Sequence, residues 1–184
     1  MDKKHHNLSE LILKNINTPE PKDALSMIEE LKDVKINGFF SKKQFYDVAM
    51  WKSPRPKKHY LSNSEENIFE VSKKAISSKS EKVKMETLTN LNGVSIAVAS
   101  ALLTIINPEE YGIIDIRVWQ LLYLYGEVKT KQHGQGFSVE DWLNYLSILR
   151  KYARQFNISV RHIEIILFFH HREIQEGLLY KTPN

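Results

Sequence analysis

Cysteine is absent from all 184 residues. That excludes disulfides, thiolate nucleophiles, zinc sites of the cysteine type and cysteine-ligated iron–sulfur clusters in one step. No apolar run approaches the roughly 18 residues a membrane-spanning helix needs. The leading MDKKHHNLSEL is charged and then amphipathic, unlike a secretion signal, so the expected location is the cytoplasm, with no membrane partner. A phosphate-cradling P-loop, a Gly-X-Ser-X-Gly elbow and a dinucleotide fingerprint are all missing. Strand-like alternation is limited to Val34-Lys35-Ile36, which is too short to count. Hydrophobic residues still make up 42%, enough for a core, and the length suits one compact domain over 1–184 or two small lobes.

Charge is unevenly spread. Between Lys42 and Lys84 there are eleven Lys and Arg against five Asp and Glu, whereas the rest of the chain has fifteen against seventeen. The net charge of +4 is therefore concentrated in one segment, as expected either of a nucleic-acid footprint or of a solvated lysine-rich helix face.

Nearly every segment has helical periodicity. Leu8, Leu11, Ile12 and Ile16 form one stripe, ended by Pro19 and Pro21, and Ala24, Leu25, Ile28 and Leu31 form the next, closed by Asn37-Gly38. Ser41 caps a third helix carrying Phe45, Val48, Ala49 and Trp51, and Ser53-Pro54-Arg55-Pro56 interrupts regular structure. Ser64 opens a fourth helix, and a short helix from Val83 ends near Leu91. Later, Ser138 with Asp141 forms a capping box for a helix to about Phe156, and Ser159 opens a last helix ending near Gly177. The predicted class is all-α.

The most informative stretch is Leu91-Asn92-Gly93-Val94-Ser95-Ile96-Ala97-Val98-Ala99-Ser100. A helix ends, a glycine permits positive φ, and a small-residue helix begins at once. Backbone N–H groups of Gly93, Val94, Ser95 and Ala97, at the positive end of a helix dipole, make an anion site; on DNA the anion is a backbone phosphate. An ordinary tight helical turn has the same pattern. Downstream, after Asn107-Pro108 and an extended Tyr111-Gly112-Ile113-Ile114, Asp115 caps a helix with Val118, Leu121, Leu122 and Leu124.

The two motifs together resemble the helix-hairpin-helix DNA glycosylase superfamily of endonuclease III and adenine glycosylase relatives. There a Leu-Pro-Gly-Val-Gly hairpin is followed by a Val-Asp-Thr-X-Val segment; here Leu91–Ser95 and Ile114-Asp115-Ile116-Arg117-Val118 occupy those places, the match running from about Leu88 to Leu122. The resemblance implies a helical glycosylase-like fold with two lobes around a cleft, a helix-hairpin-helix at about 83–106, and a catalytic-type segment at about 111–125 with Asp115 as the catalytic carboxylate. It also implies double-stranded DNA as partner, a monomer, and base-excision repair as the setting. Asn92 replaces the proline and Ser95 the second glycine. Ala97 stands where bifunctional members carry a Schiff-base lysine, so lyase chemistry through that position is excluded. The expected chemistry is monofunctional, without cofactor or metal. A non-catalytic module that keeps the hairpin but has lost base excision is the alternative, and a protein-interaction domain in which Asp115 is only a cap is a third.

Cap and catalyst are compatible roles, because a carboxylate at a helix N-terminus is held ionised by backbone N–H groups. In the implied mechanism the target nucleotide is flipped out, and Asp115 stabilises positive charge developing on the sugar and orients water. The segment Trp51-Lys52-Ser53-Pro54-Arg55-Pro56-Lys57-Lys58-His59-Tyr60 mixes cations and aromatics. Lys52, Arg55, Lys57 and Lys58 are candidates for phosphate contact, and Trp51 either stacks on a base or completes a core stripe. Arg117 either reaches DNA or pairs with an acid, and Tyr111 either lines a pocket or packs in the core. His170-His171, near Glu164 and Glu173, lack the spacing of metal ligands.

Overall fold

Hydroxyl and carboxamide caps decide where most helices begin. The computed structural model describes residues 3–179, and among them there are eleven helices and no strand. Asn7 caps α1 (Leu8–Lys14) by accepting the Glu10 N–H. α2 (Lys22–Glu30) and α3 (Lys32–Asn37) share Leu31 as their junction, so the stripe predicted as one helix is broken there; Gly38, at φ +80°, ends α3. Leu25, expected on that buried stripe, is exposed, whereas Ala24 and Leu31 are buried. Ser41 opens α4 (Lys42–Lys52) with a capping box completed by Gln44.

The proline-rich interruption contains an element not predicted, the short α5 (Lys57–Leu61). Pro56 precedes its first turn, where a missing N–H costs nothing. Ser64 caps α6 (Glu65–Ser77) and Ser80 caps α7 (Glu81–Leu88), which ends three residues earlier than the sequence pattern indicated. Ser95 caps α8 (Ile96–Ile106) and Asp115 caps α9 (Ile116–Leu124). The predicted Ser138–Asp141 capping box opens α10 (Val139–Phe156), and Ser159 opens α11 (Val160–Ile174), which stops short of Gly177.

Every α8 residue from Val98 to Ile106 is buried. A helix apolar all round must be central, and α2, α3, α4 and α7 pack about it. A second group forms where α11 packs against α9, α10 and α1, and α7 also touches α10. One hydrophobic core runs through both groups, from Leu8 to Ile174, and includes the fully buried Trp119 and Trp142. Burying each such indole contributes about 3 kcal/mol. Tyr111 belongs to this core: its ring stacks on Trp142 and its hydroxyl donates to Glu81 at 3.0 Å.

Candidate functional site

The chain between α8 and α9 crosses the molecule as an extended strap, residues 111–115. Backbone bonds hold its two ends, the Tyr111 N–H donating to the Asn107 carbonyl and the Trp119 N–H to the Asp115 carbonyl, and side chains supply partners at Ile113 and Ile114. Tyr145 donates its hydroxyl to the Ile113 carbonyl at 2.8 Å, and the Ser100 hydroxyl accepts the Ile114 N–H at 3.1 Å. Ser100 lies five residues into α8 from Ser95, ~7.5 Å along the axis, so the strap crosses close to the α7–α8 turn.

Asp115 ends the strap. Its Oδ1 accepts the Arg117 N–H at 2.9 Å, the cap bond that starts α9. Its Oδ2 faces Lys52 Nζ at 2.9 Å, and the two side chains are 21% and 17% exposed. Burial alone pushes this carboxyl up; the Lys52 ammonium and the Arg117 N–H outweigh it and hold Asp115 below the ordinary carboxylate value. Asp115 is thus an ionised acid in a partly dry setting.

Lys52 and Asp115 both open onto a cavity of about 480 Å³, within the size range of small-molecule sites. Trp51, Ile165, Phe168 and Phe169 supply apolar walls, and Asp23, Arg161, Glu164 and Arg172 supply charge. Trp51 is half-buried at this wall, with its indole N–H donating to Asp23 at 2.8 Å. It also packs against the hydrophobic core, so it edges the buried face of α4 and lines the cavity at once. A hollow of about 550 Å³ at the α10–α11 junction is lined by Glu109, Arg150, Asn157 and His162 but contains none of the candidate residues.

Among the described residues the Arg117 guanidinium is in no salt bridge, though its charge helps to lower the Asp115 pKa. The guanidinium donates to the Gln175 side chain and lies 5.8 Å from the Phe168 ring centroid, next to the cavity wall. His171, fully buried behind α9, faces Gln120 at 2.9 Å, and burial pulls its pKa down to about 4. His170 faces the other way, toward His5. Among the described residues no group of three or more His, Asp or Glu could hold a metal ion.

The basic segment joins the turn to the acid, which sequence distance had hidden. Gly93 has φ +84°, and a Cβ there would lie 2.9 Å from His59 Cβ and 3.0 Å from the Tyr60 ring. Glycine is required twice over, for its backbone and for the approach of α5. Asn63, buried at 1% exposure, locks the contact. Its Oδ1 accepts the Asn92 N–H at 2.8 Å and its Nδ2 donates to the Asn92 carbonyl at 3.0 Å, while Nδ2 also bonds the carbonyls of His59 and Tyr60. Arg55, Lys57, Lys58 and His59 are exposed beside this junction.

At the turn, Ser95 is exposed and Gly93 and Ala97 are half-buried. Among the described residues the Ser95 and Ala97 N–H groups have no acceptor. Val94 does not belong to the expected anion site: its side chain is buried and its N–H donates to the Leu91 carbonyl at 3.1 Å, so it has none to offer.

No family model, curated protein or solved structure matches this chain. The reading of the site rests on its own geometry. That geometry gathers Trp51, Lys52 and Asp115 at one cavity and sets the basic α5 against Gly93. Sequence reasoning missed the Lys52–Asp115 pair, the lining by Phe168 and Phe169, and the Arg161–Glu164 pair. No local signal marks them, since each contact joins residues at least 50 apart except the last, which reads as an ordinary helical i,i+3 ion pair.

Proposed function

We propose that this protein is a DNA-binding protein of the helix-hairpin-helix type and a monofunctional DNA glycosylase, which hydrolyses the N-glycosidic bond of a flipped damaged or mismatched base. One observation carries the reading: an ionised Asp115 opens onto an aromatic-walled cavity, and the chain that supplies its Lys52 partner continues directly into basic residues packed on the Gly93 turn. An acid at a glycosidic carbon and a grip on the adjoining phosphates are the two things base excision needs together.

In this mechanism the free N–H groups of Ser95 and Ala97 and the side chains of Lys57 and Lys58 bind successive phosphates, without sequence preference. The target nucleotide leaves the stack and its base enters the cavity, where Trp51, Phe168 and Phe169 offer ring faces. As the bond to the base lengthens, positive charge grows on the sugar. Asp115, already ionised, stabilises it with little reorganisation and directs a water to the anomeric carbon. Lys52 shifts from Asp115 to a phosphate of the extruded nucleotide, which exposes the carboxylate as the charge appears. The products are a free base and an abasic site.

The closed Lys52–Asp115 pair also favours a second reading, a non-catalytic module in which the ammonium permanently occupies the acid. A lesion panel separates the two. Wild-type protein is incubated with duplexes carrying single damaged or mismatched bases, and alkali then reveals abasic sites as strand breaks. Base release is expected from wild type and not from Asp115→Asn, which keeps the cap because Asn accepts the same N–H. Duplex affinity is expected to agree between the two within about threefold. Equal release by the mutant refutes the role of Asp115, and no release by either protein, with tight binding by both, selects the module.

A further inference from the structure

Glu164 is buried on α11, with its side chain 4% exposed, and the base-excision scheme above gives it no role. Its Oε2 accepts the Ile113 N–H at 3.1 Å, in the strap two residues before Asp115. The same carboxylate takes the Arg161 guanidinium, itself 5% exposed, and Arg161 is held on its far side by Glu20 at 2.7 Å. Opposite Glu164, the Tyr145 hydroxyl holds the Ile113 carbonyl. The two peptide groups that flank the Ile113 Cα are therefore held in turn, the first by α11 and the second by α10. The strap lies close against both helices: a Cβ on Gly112 would lie 2.8 Å from Leu149 Cδ1 and 3.4 Å from Glu164 Cβ.

A buried ion pair is a poor device for stability alone, because apolar residues of equal volume often serve as well or better. A carboxylate that also takes a backbone N–H does something apolar packing cannot, which is to fix the direction of one peptide group. We infer that Glu164 is a positioning residue, which, braced by Arg161 and Glu20, holds the strap so that Asp115 is aimed into the cavity. Burial pushes the Glu164 carboxyl up, while Arg161, the Ile113 N–H and Lys52 oppose that. The inference rests on the glycosylase reading for its catalytic consequence but not for its structural one.

The test uses full-length protein with Glu164→Ala, which removes the hold, and Glu164→Gln, whose amide oxygen still accepts the Ile113 N–H. Glu164→Leu refills the lost volume with apolar atoms and replaces the Ala variant if that one does not fold. Hydrogen exchange at the Ile113 amide in the free protein is expected to speed up at least about tenfold in Ala or Leu and to stay slow in Gln. Single-turnover base release is expected to fall about 10–100-fold in Ala or Leu, the scale of a 1 Å misplacement, with duplex Kd within about threefold. Release returns to within about fivefold of wild type in Gln. Unchanged Ile113 exchange in Ala or Leu overturns the inference, as does an equal loss of release in Gln and Ala. If wild type releases no base from any lesion, the glycosylase reading fails, and Ile113 exchange alone decides whether Glu164 holds the strap.

Discussion

Replacing Lys52 with Met keeps most of the side-chain volume and removes the ammonium that Asp115 faces at 2.9 Å. At that distance, with an effective dielectric of about 20, the direct attraction is about 6 kcal/mol. Three costs reduce it. Both ions lose water, Lys52 gives up rotamer freedom, and the fifth or so of each side chain left exposed is screened. The net coupling expected is about 1–3 kcal/mol. A double-mutant cycle measures it directly: Lys52→Met, Asp115→Asn and the pair together, each unfolded in urea near pH 7.5 with m checked for constancy. Lys52→Met alone should cost about 2–3 kcal/mol, because it strands a mostly buried carboxylate. The double variant should recover much of that loss. Acid should separate the proteins further. In wild type the lowered Asp115 pKa adds stability that is present above the unfolded-state value and lost as pH falls through the folded one. In Lys52→Met only Arg117 still opposes burial, so the folded pKa rises relative to wild type and the stability lost at this group on acidification shrinks. A coupling below about 0.5 kcal/mol, with acid sensitivity unchanged in Lys52→Met, would refute the claim that Lys52 keeps Asp115 ionised.

Two further outcomes follow from buried groups outside the cavity. Asn63→Ala removes two hydrogen bonds to Asn92 and two to the His59 and Tyr60 carbonyls of the α5 segment; it should cost about 2–4 kcal/mol and lower Tm by about 5–12 °C. Its duplex Kd, measured by anisotropy where the variant remains folded, should rise about tenfold as the turn and the basic α5 separate; an unchanged Kd would mean the two do not bind DNA as one surface. His171, fully buried and with its pKa pulled down to about 4, must stay neutral in the folded protein. Its contribution, about 3 kcal/mol at most, is full above the unfolded value near 6.5 and is lost as pH falls toward 4. His171→Gln should flatten stability across that interval in urea titrations, and an unaltered slope would remove His171 as the acid-labile group.

Capping chemistry was the most legible layer of the fold. Ser41, Ser64, Ser95, Asp115, Ser138 and Ser159 each begin the helix they were expected to begin, because a side-chain oxygen satisfying an orphan N–H is a local event within four residues of chain. Helix ends were less legible. α7 and α11 stop early and the α2–α3 stripe breaks at Leu31, since apolar periodicity continues past the point where tertiary packing ends a helix. The α5 turn was hidden by its prolines, which forbid long helices but tolerate a single turn after Pro56.

What the sequence determined by itself was therefore the local grammar: helices, their starts, a glycine that permits a sharp turn, and an acid placed to cap. Whether those pieces form a site depended on contacts between distant segments. Lys52 reaches Asp115 across 63 positions, Asn63 clasps Asn92 across 29, and Glu164 takes the Ile113 N–H across 51. Such pairs leave no periodic or short-range trace. Their partners are chosen by how α4, α8 and α11 pack, and packing is a property of the whole core rather than of any window along the chain.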